Sequence, residues 1–490
     1  MHYKDKRRTM DLLSVVGQAL ESLESSFRKE ILSEVLNSLE LVKNALEQEE
    51  RPPTATIAAL QELIVLLRTP SPIDGFRQGT VRRLYAELLA DFEQEVEGKI
   101  RIVFFPYKAS MWDSLESVYL AALKDDEVDA KVVPIPYFKL SDKGDEPCYE
   151  GDLFPEGIPI THYSAYDLTV ERPDIVFVHN IYDQYNTLTR VFEEYHTSNL
   201  KKYTDMLVYV PYCLFSFIPP APGSTTEIIA YGLPSVANVD RVVLVGEYLA
   251  DAAIKFGVPR HKLLTLGSPK VDKLVSSLQS DLSYPETWRD KINGKTVFLL
   301  DTHLSFFGAG NFLEQLELLI KLLNIPNYVE RSALIWRPHP LLEVFLKQRA
   351  PWSLGYYHDL VSRVGTREYS DVLFDDSPDY FPALMAADVY IGFQTSLMRS
   401  YLLTNKPIML LRPRLPDNSL VSAEAFYYIN EDNWVETLRG LATGYDPRAE
   451  KRRGALQGVY SNIDGTSGQK ILASVKDSLF AKMNADRTIE

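Results

Sequence analysis

Between positions 11 and 46, apolar residues return every three or four places, at Leu12, Val16, Leu20, Leu23, Phe27, Ile31, Val35, Leu39, Val42 and Leu46, with Glu, Lys and Ser in the gaps. That step keeps one face of a helix apolar, so the pattern predicts a long amphipathic helix. Pro52 and Pro53 end it, and similar repeats predict helices over 56–67 and 81–97, with a break at 70–79. The first 98 residues read as a helical region. It is either a docking surface for a membrane, a partner or a second copy, or a layer packed on the catalytic body. The many Glu residues on its polar faces argue against a basic membrane-surface helix.

From Lys99 the period changes. Short apolar runs at 102–105, 131–135, 175–178, 207–210 and 241–245 are mostly spaced widely enough for crossover helices, which predicts a parallel sheet with helices on its faces. After a polar stretch at 276–295, strands are predicted at 297–300, 333–335, 372–374, 389–391 and 408–411, with helices at 312–323, 378–386 and 396–404. Ser377, Pro378 and Asp379 are placed to start the second of these helices. The expected fold class is α/β, with two Rossmann-like domains (99–275 and 290–432) after the helical N-terminal region (1–98). A helical C-terminal segment (433–490) is placed to cross back and brace the first half.

Composition narrows this picture. The chain has 490 residues, too many for one core, and its 46% hydrophobic and 24% charged content is that of a globular protein. A formal net charge of -15 argues against nucleic acid and anionic lipid as partners. Only Cys148 and Cys213 are present, which excludes a disulfide framework or cysteine-rich zinc site and suits a reducing compartment, the cytoplasm. No apolar run of about 18 residues predicts a membrane span, and no apolar signal core follows the charged stretch Met1 to Met10. Phosphate-loop, zinc and dinucleotide glycine motifs are missing, so neither metal nor cofactor is expected.

Ligands of open parallel sheets collect beyond the carboxyl ends of the strands. In the second series those ends carry Asp301-Thr302-His303-Leu304-Ser305, Trp336-Arg337-Pro338-His339-Pro340, Asp375-Asp376-Ser377 and Gly392-Phe393-Gln394-Thr395-Ser396. Arg337 and His339, with prolines fixing the backbone, are placed to clamp a diphosphate, or else to form a rigid turn. Thr395 and Ser396 begin a helix, where they hold phosphate oxygens or cap. His303 lines the same pocket or holds a turn. Asp375-Asp376 reads as a helix cap rather than a metal site. In the first series His179 follows its strand directly and is placed as a base, with Asp183 as an orienting carboxylate. The loop holding Lys108, Trp112 and Ser114 reads as an acceptor or phosphate site, against the alternative that Asp113 caps a helix and Trp112 covers the sheet.

Taken in order, Leu266-Gly267-Ser268-Pro269-Lys270-Val271-Asp272, Trp336-Arg337-Pro338-His339-Pro340, Ala387-Asp388-Val389-Tyr390-Ile391 through Thr395-Ser396, and Asn405-Lys406-Pro407-Ile408-Met409 resemble the CDP-glycerol glycerophosphotransferase family over roughly residues 100 to 425. The resemblance implies two domains in a GT-B arrangement and a CDP-glycerol or similar CDP-polyol donor. It also implies a cell-surface glycan or lipid-linked acceptor, and release of CMP. Arg337, His339, Thr395 and Ser396 would then stabilise the diphosphate charge. Thr302, His303, Ser305 and Lys270 would stand beside the donor, and Lys108, Trp112, Ser114 and Tyr212 beside the acceptor. Work at the inner face of the membrane and self-association through the N-terminal helices would fit this role. Two positions depart from the family. Tyr212-Cys213 stands where a His usually follows a first-domain strand, and Gly392-Phe393-Gln394 lacks the Asp that often precedes the hydroxyl pair. A neutral tyrosine is a poor base at pH 7. The alternatives are a nucleotide-sugar glycosyltransferase of the same fold and a nucleotide- or glycan-binding scaffold without turnover.

Overall fold

Four helices precede the first strand: α1 (Tyr3–Ser25), α2 (Lys29–Glu47), α3 (Thr54–Arg68) and α4 (Gly75–Glu95). The computed structural model describes every residue except 26–28, 50, 70–74, 142–143, 215–231, 280–283, 309–310, 412–413, 432, 458 and 488–490. The single helix expected over 11–46 is thus seen as two, and the stretch between them lies outside the described residues. Its apolar stripe behaves as the period requires: Leu13, Val16 and Leu20 pack with Val35, Leu39, Val42 and Leu46, and with Leu60, Leu63, Leu88 and Phe92 of the next two helices. Glu95 at the end of α4 caps the start of α3, accepting from the Thr56 amide at 2.8 Å, the Thr56 hydroxyl at 2.9 Å and the Ala55 amide at 3.0 Å. No helix of the described residues is long and apolar enough to cross a membrane.

The chain divides into two compact units, one of Met1–Val103, Ala122–Ala130 and Pro173–Ile175, the other of Phe104–Ala121, Lys131–Arg172 and Val176–Glu490. The helices above form the body of the first. The carboxyl ends of both large sheets belong to the second.

The first large sheet is built from β1 (Ile100–Phe105), β2 (Val128–Val132), β5 (Ile175–Val178), β7 (Met206–Tyr209), β8 (Arg241–Val243) and β9 (Leu263–Leu264), in the order β2-β1-β5-β7-β8-β9. All four residues of β5 and of β7 are buried, as an unbroken apolar run covered on both faces demands. A small antiparallel sheet of β3 (Tyr137–Lys139), β4 (Glu146–Cys148) and β6 (Thr189–Val191), not expected from the sequence, branches from its loops.

The second sheet holds β10 (Thr296–Thr302), β11 (Ser332–Pro338), β12 (Val372–Phe374), β13 (Val389–Gly392), β14 (Ile408–Leu410) and β15 (Tyr427–Tyr428), all parallel, in the order β12-β11-β10-β13-β14-β15. Counted along this half, that is 3-2-1-4-5-6, the doubly wound order, with its switch between β10 and β13. Leu299 is the register point, paired with Ile335 on one side and Tyr390 on the other. Trp336, fully buried, anchors the core with Phe298, Leu300, Leu334 and Ile391.

The helix expected at 378–386 begins instead at Phe381. The Ser377 hydroxyl donates to Asp375 Oδ1 at 2.6 Å and lies 2.8 Å from the Asp379 carbonyl, so it is spent before the helix starts, and Asp379 accepts from the Phe381 amide at 2.9 Å. The C-terminal helix Ser467–Arg487 does cross back to the first half. The amides of Ser467 and Gly468 donate to Asp272, Ser478 accepts from Arg241, and Lys482 donates to the Asp205 carbonyl. A Cβ on Gly468 would stand 2.4 Å from the backbone of Ser117, so only glycine allows that approach.

Candidate functional site

At the carboxyl ends of β10, β11 and β13 the structure gathers Asp301, His303, His339, Tyr390 and Thr395. Asp301 is buried and its Oδ2 accepts from the Tyr390 hydroxyl at 2.6 Å and the Thr395 hydroxyl at 2.7 Å. Burial raises the Asp301 pKa, opposed by those two hydrogen bonds. Gly392 makes room for this network, since a Cβ there would meet the Tyr390 hydroxyl at 2.6 Å. Thr395 is the N-cap of helix Ser396–Leu402, accepting from the Met398 amide at 3.2 Å while its proton goes to Asp301. This bears on its expected role on phosphate: the single proton of the hydroxyl is spent on Asp301, leaving none to donate to a phosphate oxygen. Ser396 beside it is exposed.

The imidazoles of His303 and His339 meet edge to face, with ring centroids 5.0 Å apart. His339 Nδ1 accepts from the Leu341 amide at 3.1 Å, so in the neutral ring Nε2 carries the proton. Burial, with His303 alongside, holds the His339 pKa down at about 4, and burial also lowers that of His303. At pH 7 His339 is a neutral hydrogen-bond donor rather than a cation.

Arg337 does not form the expected free clamp. Its guanidinium is bound to Asp375, donates to the Ser377 carbonyl at 2.7 Å, and reaches the Ser377 hydroxyl at 3.3 Å. It holds the loop after β12, where Asp375 also accepts from the Ser377 amide at 3.1 Å instead of capping a helix. Thr302 is likewise committed, accepting from the Trp336 indole at 3.0 Å. Arg337 and His339 line a cavity of about 360 Å³ with Glu343, Tyr357, His358 and Asp376, all from the second half; Thr395 is not part of it. His339 therefore stands between this cavity and the His303–Asp301–Thr395 group. The side chain of Ser305 lies outside the described part of the structure.

In the first half, His179 is fully buried at the end of β5. Its Nε2 accepts from the Tyr107 amide at 3.1 Å, and its Nδ1 lies 3.1 Å from the Ser114 hydroxyl and 3.3 Å from the Met111 carbonyl. Burial drives its pKa down to about 3. The lone pair a base would use is occupied, so the expected role on an acceptor hydroxyl finds no open atom. Asp183 does not orient it. Its carboxylate accepts from the Thr197 amide at 3.1 Å and the Thr197 hydroxyl at 2.6 Å, tying down another loop from a left-handed backbone with φ 44°. Ser114 donates to the Met111 carbonyl at 2.7 Å, and Trp112 is buried against Tyr119 and Phe154, so both are structural parts of the loop. Lys108 lies over the Tyr137 ring, 5.2 Å from its centroid, and burial lowers its pKa. Tyr212 packs edge-on to His179 and Tyr182, and burial raises its pKa further above the ordinary phenol value.

Lys270 is held in an ion pair rather than left free for a phosphate. Its ammonium lies 2.5 Å from Asp113 Oδ2, which also accepts from the Tyr380 hydroxyl at 2.7 Å, and it sits over the Tyr380 ring at 5.2 Å. Asp113 thereby joins the loop after β1 to the second half rather than capping a helix. A second tie runs from Arg399 Nε to the Leu214 carbonyl at 2.7 Å. Asp301, Tyr390, Tyr380 and Arg399 were not singled out as site residues from sequence. Asp301 and Tyr390 stood inside the quoted motifs, and nothing local marked them as partners.

These features define an α/β protein of GT-B fold, two Rossmann-like sheets with their strand ends brought together. No family model matches the chain, and no curated protein matches it. Among solved structures it is similar to a variant of the wall teichoic acid polymerase TagF soaked with CDPG, at 14% identity and a TM-score of 0.53, covering 88% of this chain and 99% of that one. It is also similar to a putative UDP-N-acetylglucosamine 2-epimerase from Listeria monocytogenes, at 14% identity and a TM-score of 0.52, covering 78% and 98%. The S. aureus MnaA–UDP complex gives 14% identity and a TM-score of 0.50, covering 77% and 96%.

Proposed function

We propose that the protein is an enzyme that takes a CDP-activated polyol at the second half and transfers the polyol phosphate to an acceptor hydroxyl, releasing CMP. The observation that carries this reading is the His303–His339 pair at the ends of β10 and β11, beside the switch of a doubly wound sheet. A neutral imidazole with a protonated Nε2 donates to a diphosphate oxygen without first losing a proton. Phosphoryl transfer asks the protein chiefly for positioning and charge stabilisation. The choice of cytidine over uridine rests on the resemblance of the motifs around Arg337, His339 and Thr395 to the CDP-glycerol glycerophosphotransferase family. Arg337 acts in this reading by holding the Asp375–Ser377 loop rather than by touching phosphate.

A second reading, nucleotide or glycan binding without turnover, is favoured by the closed lone pair of His179 and by Tyr212 in place of a base. Melting shifts and CMP release with CDP-glycerol, CDP-ribitol, CMP, UDP and UDP-N-acetylglucosamine separate the readings. Transfer requires stabilisation by CDP-polyols, CMP release in the presence of acceptor, and a weakening of both in His339→Ala. Stabilisation without release over several acceptors selects the second reading, and preference for the UDP-sugar moves the assignment to glycosyl chemistry.

A further inference from the structure

A cavity of about 510 Å³ lies at the carboxyl ends of β14 and β15, away from the loops of β10 and β11. Leu318, Leu411 and Ile429 give it aliphatic lining, Trp434 an aromatic one, and Lys321 and Arg414 stand at it as cations. The Arg414 guanidinium rests over the ring of Tyr428, 5.5 Å from its centroid, which limits how far it can wander. Tyr428 itself is buried, its hydroxyl lying 3.0 Å from the Ala423 carbonyl, so it is a floor for Arg414 rather than a free surface.

The net charge is -15, yet neither Lys321 nor Arg414 makes an ion pair among the described residues. The nearby carboxylates make their ion pairs with other cations, Glu431 with Arg448 at 3.2 Å and Glu424 with Lys451, and Arg414 adds only a weaker pull on Glu424. Two cations without a close ion-pair partner, beside an indole and an aliphatic floor, match an anion that carries a ring. The volume suits a ligand of nucleotide or sugar-phosphate size.

We infer that this cavity is a second binding site, for a small phosphate ester bearing a ring. The phosphate meets Arg414 and Lys321, and the ring lies against Trp434. Nucleoside monophosphates and sugar phosphates share this chemistry. The site is separate from the one assigned to the CDP-polyol.

Trp434 supplies the readout. Fluorescence titration of the full chain with CMP, glucose 1-phosphate and inorganic phosphate gives a saturable change for at least one ring-bearing ester, at about tenfold lower concentration than for inorganic phosphate. Which ester binds tighter names the source. Trp434→Phe abolishes the change, and the exposed pair Lys321→Gln with Arg414→Gln weakens it at least about tenfold at unchanged melting temperature. His339→Ala leaves it intact, which separates this site from the donor site and lets either assignment fail alone. The inference is overturned if neither ester perturbs the fluorescence, if the change survives in Trp434→Phe, if it is untouched by the double Gln variant, or if it disappears in His339→Ala.

Discussion

The two sheets present histidines at equivalent places, just past the carboxyl ends of their strands, and use them in opposite ways. His179 is sealed, with the Tyr107 amide on one nitrogen and Ser114 with Met111 at the other, whereas His339 spends one nitrogen on its own loop and has no hydrogen bond on the other among the described residues. Position at a strand end is therefore only half of what makes a site residue. The other half is whether the surrounding loop supplies the partners itself. Around His179 the loops from β1 and β7 close over it; around His339 the prolines hold the loop open beside a cavity.

The sharpest way to break this contrast is at the joint of the halves. Lys270→Met leaves Asp113 buried without its cation and costs about 3–5 kcal/mol of stability, read from denaturant unfolding, while pairing it with Asp113→Leu recovers most of the loss. His179→Ala orphans the Tyr107 amide and opens a cavity, for about 2–4 kcal/mol. The same histidine sets an acid limit. Its folded pKa, about 3, lies below the unfolded value of 6.5, so the unfolded chain binds the extra proton in that window. Stability is full above pH 6.5 and falls towards pH 3 by up to about 1.4 kcal/mol per unit from this group, and His179→Phe flattens that slope. Asp183→Ala removes the hydrogen bonds to Thr197 and costs about 1–2 kcal/mol with no effect on nucleotide affinity. His339→Ala inverts the pattern: stability changes by less than about 0.5 kcal/mol, while CDP-glycerol affinity, measured calorimetrically, falls about tenfold. A variant of His179 that keeps its stability and loses affinity would erase the distinction.

Much of the scaffold was legible because apolar runs report burial directly. The runs at 175–178 and 372–374 are strands with those bounds, and the helix at 312–323 matches as well. The three-stranded antiparallel sheet was missed because β3, β4 and β6 have three residues each, too short for a period to show. Site residues were harder for a different reason. Arg337 and Lys270 look like phosphate ligands in sequence, and what decides otherwise is a carboxylate 38 and 157 positions away respectively. Local motifs carry the chemistry a side chain is capable of, and long-range pairing decides whether that capacity is left over.

The return of the C-terminal helix has a consequence for biosynthesis. Asp272 receives its amide partners from Ser467 and Gly468, 195 and 196 positions later, so while the ribosome makes the entire second sheet that carboxylate has the Ser117 hydroxyl, at 2.7 Å, but not these two amides. Closing so long a loop is entropically affordable, because its cost grows only with the logarithm of length. The nascent first sheet, however, acquires its final brace last, and the order of emergence makes the earlier half the later one to mature.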